Sequence, residues 1–253
     1  MVRAKKHLGQ HFLKNPDTAG RIAAGLSGEG YTKVLEIGPG MGVLTQHLLK
    51  GDKEVYVVEI DTESVVYLEE NFPALQQHII PGDFLQLELK SLMKEPFALA
   101  GNYPYNISSQ IIFKMLDYPE LIPEMVGMFQ KEVADRLTAE PGSKTYGILS
   151  VLSGVFYERE YLFTVEPDEF IPPPKVRSGV IRFKRREDWH PEVEVRLLTR
   201  VVKAAFNQRR KTLRNALKSL NLPLDGLEPE LLQKRAEQLS WQDFVSLTLK
   251  LKA

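Results

Sequence analysis

Residues 34–42 have the sequence V-L-E-I-G-P-G-M-G, in which a short apolar run opens into alternating glycines. The apolar run predicts a buried strand, and apolar residues at helical spacing over 43–49 predict a helix directly after it. Glycines between a strand and a helix permit a sharp turn and let a ligand approach the backbone more closely than a Cβ atom would allow. We therefore expect the turn that contains Gly38, Gly40 and Gly42 to hold a cofactor.

Two cofactors suit such a turn, a dinucleotide and S-adenosylmethionine. The spacing is G-x-G-x-G, whereas the dinucleotide-binding pattern is G-x-G-x-x-G. Pro39 has no amide N–H, so the turn lacks one donor that a pyrophosphate would use. S-adenosylmethionine carries no phosphate, and the turn therefore favours this methyl donor. A nicotinamide dehydrogenase and a turn without any ligand are the alternatives.

The composition is that of a soluble globular protein, with 253 residues of which 43% are apolar and 26% charged. There is no cysteine, which excludes disulfides, thiolate metal sites and cysteine nucleophiles. The five histidines have no metal-ligand spacing, so we expect no metal. No apolar run resembles a signal-peptide core or approaches the ~18 residues of a membrane span. We expect a cytoplasmic monomer without a membrane partner.

Opposite charges are segregated along the chain, although the formal net charge is zero. Residues 1–181 hold 17 Lys and Arg against 24 Asp and Glu, whereas residues 182–253 hold 16 against 9. The basic N-terminal arm, residues 1–14, contributes Lys5 and Lys6. A helix predicted over residues 193–220 places further cations on or beside one face: Lys203, Arg209, Arg210, Lys211, Arg214 and Lys218. This segregation favours a nucleic acid as partner, and an ordinary solvated face is the alternative.

Strand and helix signals alternate from residue 34 to residue 138. The alternation predicts an α/β fold with a doubly wound, mostly parallel sheet, in which ligands bind at the carboxyl ends of the strands. Four residues fall at such ends: Gly38, Glu59, Asp83 and Asn102. Glu59 ends a buried strand 21 residues after Gly38, where nucleotide-binding folds present a carboxylate to ribose hydroxyls.

The composition changes beyond residue 186, and helical signals dominate after Pro191. We predict an α/β domain over residues 1–187 and a small helical domain over 188–253. Asp61 is predicted to cap one helix of the first domain. Ser240, with Asp243 three residues further on, predicts a capping box for the last helix of the second.

Residues 102–105, N-Y-P-Y, follow the fourth predicted strand directly. The side-chain oxygen of Asn102 and the carbonyl of Pro104 can accept both hydrogens of an exocyclic amine, while the ring of Tyr105 stacks on the base. Accepting both hydrogens localises the lone pair of the nitrogen for in-line attack on a sulfonium methyl group. For an isolated N-x-P-Y, a plain turn is the alternative.

Several motifs together resemble the ribosomal RNA adenine N6,N6-dimethyltransferases, and the small-subunit enzymes most. They are G-Q-H-F-L at 9–13, E-I-G-P-G-M-G at 36–42, N-Y-P-Y-N-I-S at 102–108, Q-K-E-V at 130–133 and F-I-P-P-P-K-V-R-S at 170–178. The segment A-F-N-Q-R-R-K-T-L-R-N-A-L at 205–217 is similar to the C-terminal domain of the same family.

The resemblance implies a methyltransferase domain followed by an RNA-binding domain. It implies that S-adenosylmethionine is contacted by His11, Leu13, Gly38, Glu59, Asp83 and Asn102, with Asp83 at the adenine amino group of the donor. It also implies that Asn102, Pro104 and Tyr105 hold the target adenine, with Phe170 stacking from the other side. Two positions depart from the family: His11 stands in place of Asn, and Tyr103 in place of Leu, which we interpret as repacking.

The implied substrate is a pair of adjacent adenosines in the loop of a 3′-terminal hairpin of small-subunit ribosomal RNA, free or in the pre-ribosomal small subunit. Each adenosine would be methylated twice, with S-adenosylhomocysteine as the product of the donor. A large-subunit adenine methyltransferase of the macrolide-resistance type shares the N-x-P-Y-N-I-S and proline-rich motifs and is one alternative. A non-catalytic nucleic-acid-binding factor on the same fold is the other.

Overall fold

A computed structural model describes residues 2–189, 192–224 and 226–252. Within these residues the strands are β1 (Phe12–Leu13), β2 (Lys33–Ile37), β3 (Glu54–Glu59), β4 (Ile79–Pro81), β5 (Phe97–Asn102), β6 (Glu124–Gln130), β7 (Tyr157–Val165), β8 (Phe170–Ile171) and β9 (Ser178–Arg185). The helices are α1 (Pro16–Ala23), α2 (Thr45–Leu48), α3 (Thr62–Asn71), α4 (Leu89–Leu92), α5 (Ser108–Leu116), α6 (Lys131–Leu137), α7 (Ile148–Phe156), α8 (Val195–Asn207), α9 (Leu213–Leu217), α10 (Pro229–Gln233) and α11 (Trp241–Lys252).

Seven strands form one sheet in the order β4-β3-β2-β5-β6-β9-β7. β2 pairs in parallel with both β3 and β5, and β5 pairs in parallel with β6, whereas β9 runs antiparallel to β6. The chain runs outward from β2 to β4 and then returns to the other side of β2 with β5. The strand order therefore reverses between β2 and β5, which is where open α/β sheets bind ligands. The predicted doubly wound, mostly parallel fold is confirmed.

The central strands are buried along most of their length, as in sheets that are covered on both faces. Their registers bring the carboxyl ends together, since Ile37 at the end of β2 pairs with Val58 of β3. At the end of β5, Asn102 pairs with Met128 of β6. The residues that follow β2, β3 and β5 therefore meet at one edge of the sheet.

Side-chain caps begin several of the helices. The Asp61 carboxylate accepts a hydrogen bond from the Glu63 amide at 3.1 Å, which confirms the predicted start of α3. At α11 the Ser240 hydroxyl accepts from the Asp243 amide at 3.1 Å, and the Asp243 carboxylate accepts from the Ser240 amide at 2.9 Å. This reciprocal pair is the predicted capping box.

The chain divides into two compact units. One contains the described residues of 1–134 and 160–185, and the other contains residues 135–159 and the described residues from 186 onward. The predicted boundary at 187 lies close to Arg185 and Arg186, where the chain passes from the first unit into the second. Residues 135–159, however, belong to the second unit rather than the first. They do so because α7 packs against α8 and α11, with a hydrogen bond from the Tyr146 hydroxyl to the Leu239 carbonyl at 2.8 Å nearby.

Candidate active site at the carboxyl ends of the strands

A cavity of about 260 Å³ lies at the reversal between β2 and β5, within the first unit. It is lined by residues that follow four different strands and by the N-terminal arm. Most of the predicted site residues meet there: His11, Gly38, Gly40, Glu59, Asp83, Asn102, Pro104 and Tyr105. Leu13 and Phe170 are not part of its lining.

The glycine turn needs its glycines for different reasons. Gly38 has φ +68°, and a Cβ atom built on it meets nothing closer than Pro104 Cδ at 4.0 Å, because the cavity lies beside it. Gly40 has φ +56°, and a Cβ there would lie 2.8 Å from the ring of Phe12. Gly38 therefore supplies a left-handed backbone conformation next to open space, whereas the absence of a Cβ atom at Gly40 leaves room for the N-terminal arm.

Glu59 ends β3 with both carboxylate oxygens held by the backbone. Oε2 accepts from the Gly40 amide at 3.1 Å, and Oε1 accepts from the Asp61 amide at 2.8 Å. Burial raises the pKa of Glu59, and these amide hydrogen bonds act in the opposite direction. Each carboxylate oxygen can accept more than one hydrogen bond, so the group keeps capacity for ribose hydroxyls.

Asp83 begins the short 3₁₀ helix Phe84–Gln86 after β4. Its Oδ1 accepts a hydrogen bond from the Leu85 amide at 2.9 Å. This hydrogen bond fixes the orientation of the Asp83 side chain at the cavity wall. Its Oδ2 receives no hydrogen bond from the part of the chain that the structure describes. This oxygen can accept a hydrogen bond from an amino group, the contact expected at the adenine of a methyl donor.

Lys114, on α5, anchors the turn that follows Asp83, a role that the sequence patterns did not predict. Its ammonium donates to the backbone carbonyls of Phe84 at 2.7 Å, Leu85 at 2.9 Å and Leu87 at 2.5 Å. Desolvation lowers the pKa of Lys114. The one signal in the sequence was a lysine inside the apolar run I-I-F-K-M-L, where a charged side chain needs specific partners.

The orientation of Asn102 follows from a single hydrogen bond. Its Nδ2 donates to the His11 backbone carbonyl at 2.8 Å. Because a carbonyl can only accept, the amide nitrogen must face His11, and Oδ1 must point the other way. Oδ1 has no hydrogen-bond partner among the described residues. The acceptor that the proposed chemistry requires is therefore available.

Pro104 and Tyr105 continue the wall beyond Asn102. The Pro104 carbonyl accepts from the Ile107 amide at 3.2 Å, which leaves one of its two lone pairs for another donor. The Tyr105 hydroxyl lies 2.6 Å from the Ser178 hydroxyl, and burial raises the pKa of Tyr105. The hydrogen bond at its hydroxyl holds the ring in place.

His11 uses its side chain to hold the wall of the cavity. Its Nδ1 donates to the Pro172 carbonyl at 2.7 Å, and its ring stacks on Tyr105 with centroids 5.5 Å apart and planes at 29°. Its backbone carbonyl holds Asn102. His11 thus links the N-terminal arm to both the N-Y-P-Y segment and the proline run at residues 172–174.

The structure does not place Phe170 in its expected role, whereas Leu13 is absent from the cavity lining and its contact with the donor stays a prediction. Leu13 of β1 pairs with Phe170 of β8, and the two side chains are only 5% and 1% exposed within the hydrophobic core. A ring that stacks on an incoming base needs an open face, which Phe170 does not have. From this pair of strands it is Phe12 that reaches the cavity wall.

The two lysines of the N-terminal arm differ in their partners. The ammonium of Lys5 forms an ion pair with Asp61 and a second one with Glu63 at 3.2 Å. Lys6 is exposed, and none of the described residues pairs with its side chain. Lys5 therefore fastens the arm to the start of α3, whereas Lys6 keeps a free charge.

The helix predicted over residues 193–220 is interrupted, so its cations do not share one continuous face. α8 ends at Asn207 and α9 begins at Leu213. The break has a tertiary cause, since the Leu213 amide donates to the Lys234 carbonyl at 2.9 Å and Thr212 forms an isolated antiparallel bridge with Arg235. An extended pairing of this kind is incompatible with a helix at the same residues.

The cations around this break fall into two groups. Arg209 is half-buried, pairs with Glu237, and donates to the backbone carbonyls of Ser143 at 3.2 Å and Lys144 at 3.1 Å. Its role is therefore structural within the second unit. The other predicted cations are exposed: Lys203, Arg210, Lys211, Arg214 and Lys218.

Two further features of the described residues bear on function. No group of three or more His, Asp or Glu side chains lies close enough together to hold a metal ion. None of the helices in this part of the chain has the length and apolarity that a bilayer span needs.

The fold and the cavity define the class of the protein. One cleft in a class I methyltransferase fold is lined by three features. They are the glycine turn where the strand order reverses, the carboxylate at the end of β3, and the N-x-P-Y segment that starts at the end of β5. Among solved structures, a dimethyladenosine transferase from Plasmodium falciparum is similar, with TM-score 0.79, 27% identity and coverage of 95% of this chain and 96% of that chain. The 23S rRNA methyltransferase ErmE is similar with TM-score 0.72, 27% identity and coverage of 96% and 100%.

Sequence comparisons identify the family. A family model described as ribosomal RNA adenine dimethylase matches residues 1–246. The ribosomal RNA small subunit methyltransferase A of Flavobacterium johnsoniae is 55% identical over 253 residues, which cover 100% of this chain and 97% of that protein. Its counterpart in Cytophaga hutchinsonii is 56% identical over 249 residues, with coverage of 98% and 96%. The chain belongs to the ribosomal RNA adenine dimethylase family and is a methyltransferase, as its motifs predicted.

Proposed function

We propose that the protein transfers methyl groups from S-adenosylmethionine to the N6 atoms of two adjacent adenosines in a 3′-terminal hairpin loop of small-subunit ribosomal RNA, giving N6,N6-dimethyladenosines. Relatives that are 54–56% identical over almost the whole chain are small-subunit ribosomal RNA methyltransferases, which favours this substrate over large-subunit RNA. The proposed partner is therefore the small-subunit RNA or its precursor particle. We propose that the protein acts on it as a monomer in the cytoplasm.

The cavity suits S-adenosylmethionine. Gly38 leaves open space beside the backbone, Glu59 can accept from ribose hydroxyls, and Asp83 Oδ2 can accept from an adenine amino group. When bound, the donor supplies a methyl group activated by its positively charged sulfur. His11 would contribute through its backbone and ring, since its Nδ1 is committed to Pro172.

The single observation that carries the mechanism is the orientation of Asn102. With its amide nitrogen held by His11, Oδ1 accepts one amino hydrogen of the target adenine, and the remaining lone pair of the Pro104 carbonyl accepts the other. In the first transfer the nitrogen lone pair would thereby be withdrawn from conjugation with the ring and aimed in line at the sulfonium methyl group, so that the N–C bond forms as the S–C bond breaks and S-adenosylhomocysteine leaves. The methylated nitrogen then releases one proton to solvent, and in the second transfer the single remaining N–H needs only one of the two acceptors. Tyr105 offers a held aromatic ring for stacking. Preorganised acceptors of this kind are the main source of rate in such a site.

We further propose that the second unit contacts RNA through its exposed cations Lys203, Arg210, Lys211 and Arg214, together with Lys218. Phosphate contacts from these side chains are sequence-independent and weaken with salt. The target adenine must leave its stack to reach Asn102, so an unpaired loop is a better substrate than a duplex.

Mass spectrometry of ribosomal RNA tests the proposal directly. Unmethylated small and large subunits are incubated separately with the enzyme and labelled donor, and we expect two adjacent dimethyladenosines in the small subunit alone. We expect Asn102→Ala to lower the rate by about 10²-fold or more, as for loss of one preorganised polar group. Methylation of the large subunit would support the macrolide-resistance type, and unchanged activity of Asn102→Ala would refute the mechanism.

A further inference from the structure

A second cavity of about 620 Å³ adjoins the first and shares part of its wall. Both cavities are lined by His11 and Tyr105. The second extends away from the glycine turn, between the N-terminal arm and the proline run at residues 172–174. It lies entirely within the first unit. The proposed chemistry at Asn102 does not use this space.

The charges around the second cavity favour an anion. Its lining holds Lys6 and Lys175 but no carboxylate, whereas the lining of the first cavity includes Glu59 and Asp83. Lys6 and Lys175 are exposed and have no hydrogen bond or ion pair from their side chains among the described residues. Lys5 of the same arm differs from them, because its charge is neutralised by an ion pair with Asp61. The two free ammonium groups are therefore the ones available to phosphates.

The same cavity offers an apolar face and a polar edge. The prolines and Val176, which is 44% exposed, form an apolar wall against which a base can lie. Gln130 also lines the cavity, and none of the described residues bonds to its side-chain amide. An amide with free donors and a free acceptor suits the edge of a purine.

We propose that the second cavity binds the unpaired nucleotide covalently next to the target adenosine in the same RNA strand. Lys6 and Lys175 hold its phosphates, the base lies on the proline run and Val176, and Gln130 contacts its edge. The shared wall of His11 and Tyr105 places this nucleotide one step from the base at Asn102, as a neighbour in the strand must be. The inference rests on the proposed function and specifies how its substrate is held.

The phosphate contacts are tested by steady-state kinetics on unmethylated small-subunit particles. The variant Lys6→Ala/Lys175→Ala is compared with Lys50→Ala/Lys94→Ala, which removes the same charge at exposed positions outside the cavity. We expect the first variant to raise the KM for the particles roughly tenfold with little change in kcat. The slope of the logarithm of its binding constant against the logarithm of salt concentration should be shallower by about 1.4, the value for two single-strand phosphates. Calorimetric affinity for S-adenosylhomocysteine should equal that of the wild type.

The position of the nucleotide is tested by photo-crosslinking. The residue p-benzoylphenylalanine replaces Val176, or Val66 as a control that is 51% exposed on α3, and the enzyme is irradiated with unmethylated particles and S-adenosylhomocysteine. We expect a crosslink at the nucleotide beside one of the two target adenosines for position 176 only. It is mapped as a reverse-transcription stop one nucleotide to the 3′ side of the crosslinked nucleotide.

Two outcomes would overturn the inference. In the first, the KM of Lys6→Ala/Lys175→Ala equals that of its control variant. In the second, the crosslink from position 176 maps to another nucleotide, or its yield does not exceed that from position 66. Failure of the proposed function is distinct, because it would appear as absence of small-subunit methylation by the wild-type enzyme.

Discussion

Tyr103 lies directly over glycines of two neighbouring strands. A Cβ atom built on Gly127 of β6 would lie 1.8 Å from the Tyr103 ring, and one built on Gly101 would lie 2.6 Å from it. The ring is 1% exposed and packs 5.2 Å from that of Phe129. Tyrosine in place of the leucine expected from the family resemblance is thus matched by small residues beneath it.

This packing predicts a compensating pair of substitutions. We expect Gly127→Ala to destabilise the protein by about 1–3 kcal/mol, the usual range for overpacking a core. Tyr103→Leu should remove most of that penalty in the double variant, because the clashing ring atoms are gone. Urea unfolding of the four proteins measures the coupling. Equal destabilisation by Gly127→Ala in both backgrounds would contradict the interpretation.

Glu36, the next-to-last residue of β2, predicts a pH dependence of stability. Burial raises its pKa to about 8 from the usual 4.5, against the hydrogen bond from Thr45 Oγ1 at 2.6 Å. Between these pH values the folded protein holds a proton that the unfolded chain releases. Stability therefore falls as pH rises, by about 1.4 kcal/mol per pH unit from this group.

Glu36→Gln keeps the shape and cannot ionise. We expect the free energy of unfolding of this variant to lack that part of the fall with pH, so that its advantage over the wild type grows toward alkaline pH. Urea unfolding at several pH values between about 5 and 8 compares the two slopes. Parallel slopes would show that Glu36 does not titrate in this range.

At the scale of elements, α5 controls the turn after β4 through Lys114. Three carbonyls of that turn converge on one ammonium, and Asp83 precedes them directly. We expect Lys114→Met to weaken S-adenosylhomocysteine binding about tenfold, because partly buried carbonyls that lose a charged partner leave their positions. Lys114→Arg should retain part of the affinity.

Calorimetric titration measures this effect, with Lys94→Met at an exposed site as the matched control. Comparison with S-inosylhomocysteine, which lacks the adenine amino group, separates positioning of Asp83 from general loosening. The variant should lose discrimination between the two ligands. Retained discrimination together with retained affinity would show that the turn does not depend on Lys114.

For the whole molecule, the interleaving of the two units predicts the outcome of truncation. Val151, Leu152 and Val155 of α7 are at most 1% exposed and belong to the unit completed by α8 and α11. A chain that ends at residue 187 would lose those helices and expose this apolar surface. We expect it to aggregate, as judged by size-exclusion chromatography beside the full chain. A soluble, monodisperse fragment would contradict the division at residue 135.

Local signals were sufficient for much of the fold and part of the site. The alternating elements, the Asp61 cap and the Ser240 capping box each depend on residues close in sequence, and the structure confirms them. The meeting of Gly38, Glu59, Asp83 and Asn102 could also be predicted, since parallel strands align their carboxyl ends. Their individual roles toward donor and adenine remain predictions.

The amino-acid sequence by itself determined the α/β class, the glycine turn, the family and the chemistry expected of N-Y-P-Y, because short-range patterns encode them. Only the tertiary structure decided that Phe170 is buried, that Arg209 and Lys5 are neutralised, that the helix breaks after Asn207 and that Lys114 holds the Asp83 turn. Each of these depends on a partner distant along the chain, and the pairing of distant residues is set by packing rather than by local spacing.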